Sequence, residues 1–188
     1  MSKYKKDING FVITREQLFE ILSRLEVWRE ERHLTTIAGH NGLLANLLEE
    51  LSEYYRATNS YEKIDAICDM IVFILNSSPK DYFLEHFMKT EAYPRVNSQL
   101  DTAILNYVCQ YKLRVIDRND NKPYSKNILV VSLLVKITQL GFDPIKALDE
   151  TLKEIESRVG HFDEKINKFV KDLNKSKIYK ANYLNCKI

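Results

Sequence analysis

The stretch LLEELSEYYRATNSYEKIDAICDMIVFILN, residues 47–76, decides how the chain is read. Glu49, Glu50, Glu53, Glu62, Asp65 and Asp69 are threaded among Leu, Ile, Val and Phe, so they do not make a solvated acidic tail. At about 100° and about 1.5 Å per residue of helix, Glu50 and Glu53 (i, i+3) share one face and Asp65 and Asp69 (i, i+4) share another. Asn76 lies two turns beyond Asp69 on the same stripe, with Phe73 between them. The break at 58–60 lets the two helices fold back antiparallel, so that two acidic pairs face each other across a groove. Like charges that close repel, and burial raises the cost. A hard divalent cation on oxygen ligands offsets that repulsion, and Mg²⁺ suits carboxylates combined with substrate phosphates.

The surrounding chain reads as helices. Thr14 to about Arg32 is a first helix, with Thr14 and Gln17 at capping-box spacing and Leu18, Ile21, Leu22, Leu25 and Trp28 along one face. TTIAGHNG (35–42) reads as a loop. A second helix covers about 43–57 and a third about 61–76, the latter with Asn59 or Ser60 as N-cap and Ser78-Pro79 as its stop. Lys80 to Lys89 is helical and amphipathic, Pro94 interrupts, and Gln99 to Val115 is another helix. DRNDNKP (117–123) is a loop of turn formers. The β-branched content of 127–140 suits a strand, but its length favours a buried helix. Gly141 fits a helix C′ position, and Asp143-Pro144 opens a further helix through Arg158 that Gly160 ends. With no repeat and no domain boundary, the chain is read as a single all-α domain over 1–188, a helical bundle.

Composition limits the function classes. With 188 residues there is room for one core, and a net charge of +2 gives no footing for a nucleic acid polymer or an anionic membrane as partner. No apolar run approaches the length of about 18 residues that would suggest a membrane span. Cys68, Cys109 and Cys186 form no C-x-x-C pair and read as reduced thiols of a cytoplasmic protein. The histidines at 33, 40, 86 and 161 lack metal-ligand spacing, and neither glycine-rich phosphate loop occurs. The absence of E-x-x-H disfavours a di-metal redox bundle.

EELSE followed by YEKIDAICDMIVFILN resembles the MazG-like, all-α nucleoside triphosphate pyrophosphohydrolases, and their phage-type members in particular. The family pattern is E-E-x-x-E, a spacer, then E-x-x-D with an Asn seven residues beyond the Asp. Glu49, Glu50 and Glu53 match its first half, and Asp69 and Asn76 match the end of its second. Where the pattern has its other Glu this chain has Ala66. Asp65, one residue earlier and facing the same way, is the substitute. GFDPIKALDETLKEIESRVGHFDEKINKFVKD (141–172) is similar to the second half of those members, with Ser157, Arg158, Gly160 and Lys168 in their cationic element, and YKANY (179–183) resembles their ending. The span of about 80–140 has no match and reads as a helical insertion.

The resemblance implies hydrolysis of (deoxy)nucleoside triphosphates at the α–β bond, giving monophosphate and pyrophosphate. It implies Mg²⁺, with Mn²⁺ as a substitute, held by Glu50, Glu53, Asp65 and Asp69. Glu50 or Glu53 would orient the attacking water, Asn76 would contact sugar or base, and Arg158 and Lys168 would neutralise phosphate charge. It also implies a homodimer or homotetramer, with house-cleaning of damaged nucleotides or remodelling of a phage nucleotide pool as roles. The competing reading is a non-catalytic helical interaction protein with a degenerate acidic groove, to which Ala66 and the unmatched insertion point.

Overall fold

The computed structural model describes residues 5–6, 12–86, 126–158, 160–163, 168–171 and 179–188. Pro94, the helix expected over Gln99–Val115, the loop 117–123 and Cys109 lie outside the described residues.

Helix α1 (Arg15–Glu30) opens on the expected capping box: Gln17 N–H donates to Thr14 Oγ1 at 3.0 Å and Thr14 N–H donates to Gln17 Oε1 at 2.8 Å. Its buried stripe is Leu18, Ile21, Leu22 and Leu25, and it continues into Arg29. Helix α2 (Thr36–Arg56) starts inside TTIAGHNG, which is therefore helix and not loop. A local cap and a close approach to another helix make it so. Thr35 Oγ1 accepts the Ala38 N–H at 3.1 Å and caps the first turn. Gly39 then lets the turn press against the end of the next helix, since a Cβ there would lie 2.6 Å from the Asn76 carbonyl oxygen.

Helix α3 (Ser60–Asn76) is capped by Asn59, whose Oδ1 accepts the N–H groups of Tyr61 at 2.9 Å and Glu62 at 3.0 Å. It buries Ile64, Ala66, Ile67, Cys68, Met70, Ile71, Val72, Ile74 and Leu75, which is more than one stripe. A helix apolar on most sides is surrounded. Accordingly α3 packs most extensively on α2 and also touches α1 and the two helices that follow the undescribed segment.

Helix α4 (Lys80–His86) lies against α1, tied by Lys80 Nζ to Glu26 Oε2 at 2.7 Å. Helix α5 (Lys126–Gln139) falls in the span read as an insertion, yet Leu129, Val130, Leu133, Leu134 and Ile137 are core residues packed towards α3. Gly141, at φ +85°, takes the left-handed C′ conformation that glycine adopts without strain. Asp143 then caps α6 (Pro144–Ser157), which has proline in its first turn.

Two antiparallel ribbons complete the description. Strands β1 (Lys5–Lys6) and β2 (Val12–Ile13) form one, and β3 (Gly160–Asp163) pairs with β4 (Lys168–Lys171) in the other, Gly160 opposite Lys171. The chain closes on a 3-10 turn over Tyr183–Cys186 seated on α6 and α3. The fold is all-α, with the core around α3. Cys68 and Cys186 are buried free thiols. Among the described residues no helix is long and apolar enough to cross a membrane.

Candidate functional site

The antiparallel α2–α3 pair carries all four predicted ligands. Glu50 and Glu53 sit on α2, Asp65 and Asp69 on α3. Their surroundings differ. Glu50 is 9% exposed, Glu53 and Asp65 are exposed, and Asp69 is half-buried. Burial, followed by the charges of Asp69, Glu53, Glu49 and Asp65, pushes the Glu50 carboxyl up to about 8. All the acids of the quartet, and Glu49 as well, therefore act on one carboxyl. Among the described residues neither Glu50 nor Glu53 is in an ion pair.

The other acid of the opening stretch separates from the site. Glu62 accepts the Thr58 N–H at 2.7 Å and the Thr58 hydroxyl at 3.0 Å, which makes it part of the α2–α3 turn. Ala66, at the position where a Glu was missing, is buried in the core. Asp65 is engaged by a residue that sequence reasoning did not single out: Tyr183 OH donates to its Oδ1 at 2.6 Å.

At the other end of the groove, Asn76 is buried and its Oδ1 accepts from Arg29 Nη1 at 2.6 Å. Arg29 is 7% exposed and in no ion pair among the described residues. Burial lowers its pKa, against the raising influence of Glu26 and Glu30. Lys126 at the start of α5 donates to the Ser77 carbonyl and to Ser78 Oγ, both at 2.7 Å, and lies 3.4 Å from His40 Nδ1. The neighbouring Asn127, almost fully buried, keeps its Oδ1 without a hydrogen-bond partner among the described residues. Neither cation was anticipated. Arg29 had a visible signal, because it stands at i+4 from Leu25 and i+7 from Leu22 and so extends the apolar stripe of α1. Lys126 had none, since its partners lie on a distant segment.

Arg158 is already partnered: its Nη2 donates to Glu154 Oε1 at 2.8 Å, and its carbonyl accepts from Arg32 Nη2 at 2.7 Å. Lys168 opens β4 opposite Asp163. Trp28 spends its indole N–H on the Ile155 carbonyl at 2.9 Å, bracing α1 on α6, with the Arg32 guanidinium 5.1 Å from its ring centroid.

The donor set suits a hard cation: every predicted ligand is a carboxylate oxygen, and the excess negative charge around Glu50 is what a divalent ion would offset. Side chains as they stand do not close a cage, for no three His, Cys, Asp or Glu among the described residues group as a metal-holding set. No protein-family model, curated protein or solved structure matches the chain.

Proposed function

We propose that the protein is a Mg²⁺-dependent nucleoside triphosphate pyrophosphohydrolase of the MazG-like type, cleaving the α–β bond of a (deoxy)nucleoside triphosphate to the monophosphate and pyrophosphate. The observation that carries this reading is the crowding of Asp69, Glu53, Glu49 and Asp65 around the buried Glu50. A divalent ion bound to these carboxylates would relieve that repulsion.

On this reading Glu50, Glu53, Asp65 and Asp69 hold Mg²⁺ or Mn²⁺. The ion, when bound, supplies charge neutralisation at the phosphate oxygens. Exposed Glu53 is the better placed of the two α2 glutamates to orient the attacking water and take its proton, whereas Glu50 is screened from solvent. Arg29 fixes Asn76 through Oδ1 and leaves the two Nδ2 hydrogens to donate to sugar or base. The Arg29 guanidinium adds a positive charge at that end, a role shared with Arg158 and Lys168 for the phosphates. Arg158 reaches a phosphate only by exchanging Glu154 for it. The protein would act in the cytoplasm as a homodimer or homotetramer.

The test is direct. Purified protein is incubated with each NTP and dNTP plus Mg²⁺, and products are separated. Pyrophosphate and monophosphate are expected from at least one nucleotide. No turnover of any overturns the proposal, and orthophosphate release overturns the bond assignment. The commitment of one Asp65 oxygen to Tyr183 favours a second reading, a non-catalytic helical interaction protein that keeps a degenerate acidic groove. That reading is left standing only by the first of those negative results.

A further inference from the structure

We propose that the outer face of α2 is an interface for a second copy of this chain, the two α2 helices packing antiparallel about a twofold axis. It is independent of the metal reading and names the surface that the expected homodimer would use. Helix α2 carries two stripes. The first is buried: Leu43, Leu47, Glu50 and Tyr54. The second is Ile37, Asn41, Leu44, Leu48, Leu51 and Tyr55, in steps of 4, 3, 4, 3 and 4 residues. That is the a/d spacing of a coiled-coil seam. At about 100° per residue, the seam lies about 100° round the helix from the buried stripe, on the flank away from Glu53. Among the described elements α2 packs extensively on α3 alone, so the seam is left open. Ile37 is 71%, Leu48 46% and Tyr55 61% exposed, and Leu44 and Leu51 are covered only in part.

Three features make the occupant another α2. The seam runs for about 27 Å without a charged residue on it. Its open flank, Ala38, Ala45 and Ser52, is uncharged as well, whereas a foreign helix is ordinarily selected by charges at such flanking positions. Reversed on itself, the seam also matches layer by layer with none left over. Ile37 meets the partner's Tyr55, Asn41 meets the partner's Leu51, and Leu44 meets the partner's Leu48. Asn41 falls one layer from the end of the seam, where water reaches its amide. Charge sets the direction. Glu49 and Glu53 are exposed in the C-terminal half of α2, and its first turn holds no acid. Antiparallel packing places each acidic half beside the positive end of the other helix, while parallel packing sets acid beside acid and like helix ends together.

The experiment is sedimentation velocity on the full chain, with circular dichroism to confirm folding. Wild type is expected to dimerise, and Leu48→Glu, an exposed position of the seam, to halve the mass. Phe19→Glu, at an equally exposed apolar site on α1, should leave the mass as in wild type. Ile37→Glu and Tyr55→Lys put charges where the ends of α2 favour them, so each variant folds. Each should raise the dimer Kd by about 10-fold or more. The double variant should regain affinity, because antiparallel packing sets Glu beside Lys. Parallel packing sets like charges together, and the double variant is then weaker than either single one. A wild type that stays monomeric up to about 0.1 mM overturns the inference. So does a dimer that Leu48→Glu leaves intact, or one that Phe19→Glu also dissolves. A double variant that regains nothing overturns the antiparallel pairing. None of these outcomes bears on pyrophosphate release, which is measured separately.

Discussion

Glu50 on α2 and Glu154 on α6 are nearly equally buried, at 9% and 7% exposure, yet their carboxyls are displaced in opposite directions. Glu50 is pushed up to about 8 by burial and then by the charges of Asp69, Glu53, Glu49 and Asp65. Glu154 feels the same burial, but the Ala181 N–H and the Arg158 guanidinium, with Lys180 beside them, hold it below its ordinary range. Burial alone does not say what a carboxylate is for; its neighbours do. Where the protein uses an acid structurally, to seat its chain end on α6, it supplies donors and cations. In the α2–α3 groove it supplies further acids, and that contrast is why the groove is the candidate site.

Removing a groove acid breaks the contrast most sharply. Asp69→Asn and Glu53→Gln are each expected to lower pyrophosphate release by more than about 100-fold, because loss of a ligand exceeds the cost of losing a group behind one. Folding should be intact, since each change relieves repulsion rather than a core contact. Circular dichroism alongside the assay separates the two, and a variant retaining a third or more of wild-type kcat/KM sinks its ligand assignment.

Next in size is the close approach of α2 to the end of α3. Gly39→Ala puts a methyl group 2.6 Å from the Asn76 carbonyl, against backbone that cannot swing away. A loss of about 1–3 kcal/mol is expected in urea unfolding. Gly42→Ala, on the same helix, meets nothing nearer than Asn46 Nδ2 at 3.6 Å. It should be neutral or stabilise by about 0.5–1 kcal/mol through helix propensity. Equal effects at the two positions would remove the close approach as the reason for the glycine.

The pair of glycines also marks where local reading stops. Capping of α1 by Thr14 and Gln17, of α3 by Asn59, the stop at Gly141 and the proline start of α6 are short-range chemistry, and each was readable from neighbouring residues. So was the shared face of Glu50 and Glu53 and that of Asp65 and Asp69, which follows from helical spacing. TTIAGHNG looked like a loop because two glycines and two threonines disfavour helix; it becomes helix because Gly39 meets Asn76, a residue on another element. The Arg29–Asn76, Lys126–Ser77 and Tyr183–Asp65 bonds likewise join segments far apart in the chain. Such pairs leave no periodic trace, so the cationic end of the groove was not legible while its acidic end was.

Arg29 gives a smaller effect that sharpens the division of the groove into two ends. Arg29→Met keeps the length of the side chain but takes the donor from Asn76 and the charge from the polar end. Steady-state kinetics should show KM for the preferred nucleotide raised about 10-fold, the worth of one charge-assisted hydrogen bond, with kcat changed less. A KM equal to that of wild type would remove Arg29 from the substrate end and leave it as a structural partner of Asn76.

The two glutamates themselves supply the finest comparison, through pH. The folded Glu50 carboxyl, raised to about 8 from an ordinary 4.5, keeps a proton that the unfolded chain releases. Its contribution to stability is full below 4.5 and is lost as pH rises through 8. Glu154 runs the other way. Its folded value lies below 4.5, so its contribution is present above 4.5 and is lost as pH falls through the folded value. With a chelator present, Tm of wild type should therefore decline on both sides, between about pH 5 and 9 and again below about pH 4. Glu50→Gln removes the alkaline decline and leaves the acid one; Glu154→Gln does the reverse, at a lower Tm throughout because Arg158 and the Ala181 N–H lose their anion. If both variants shift the same limb, the opposite settings of these two carboxyls are not a property of their surroundings, and the distinction between a seated acid and a crowded one fails with them.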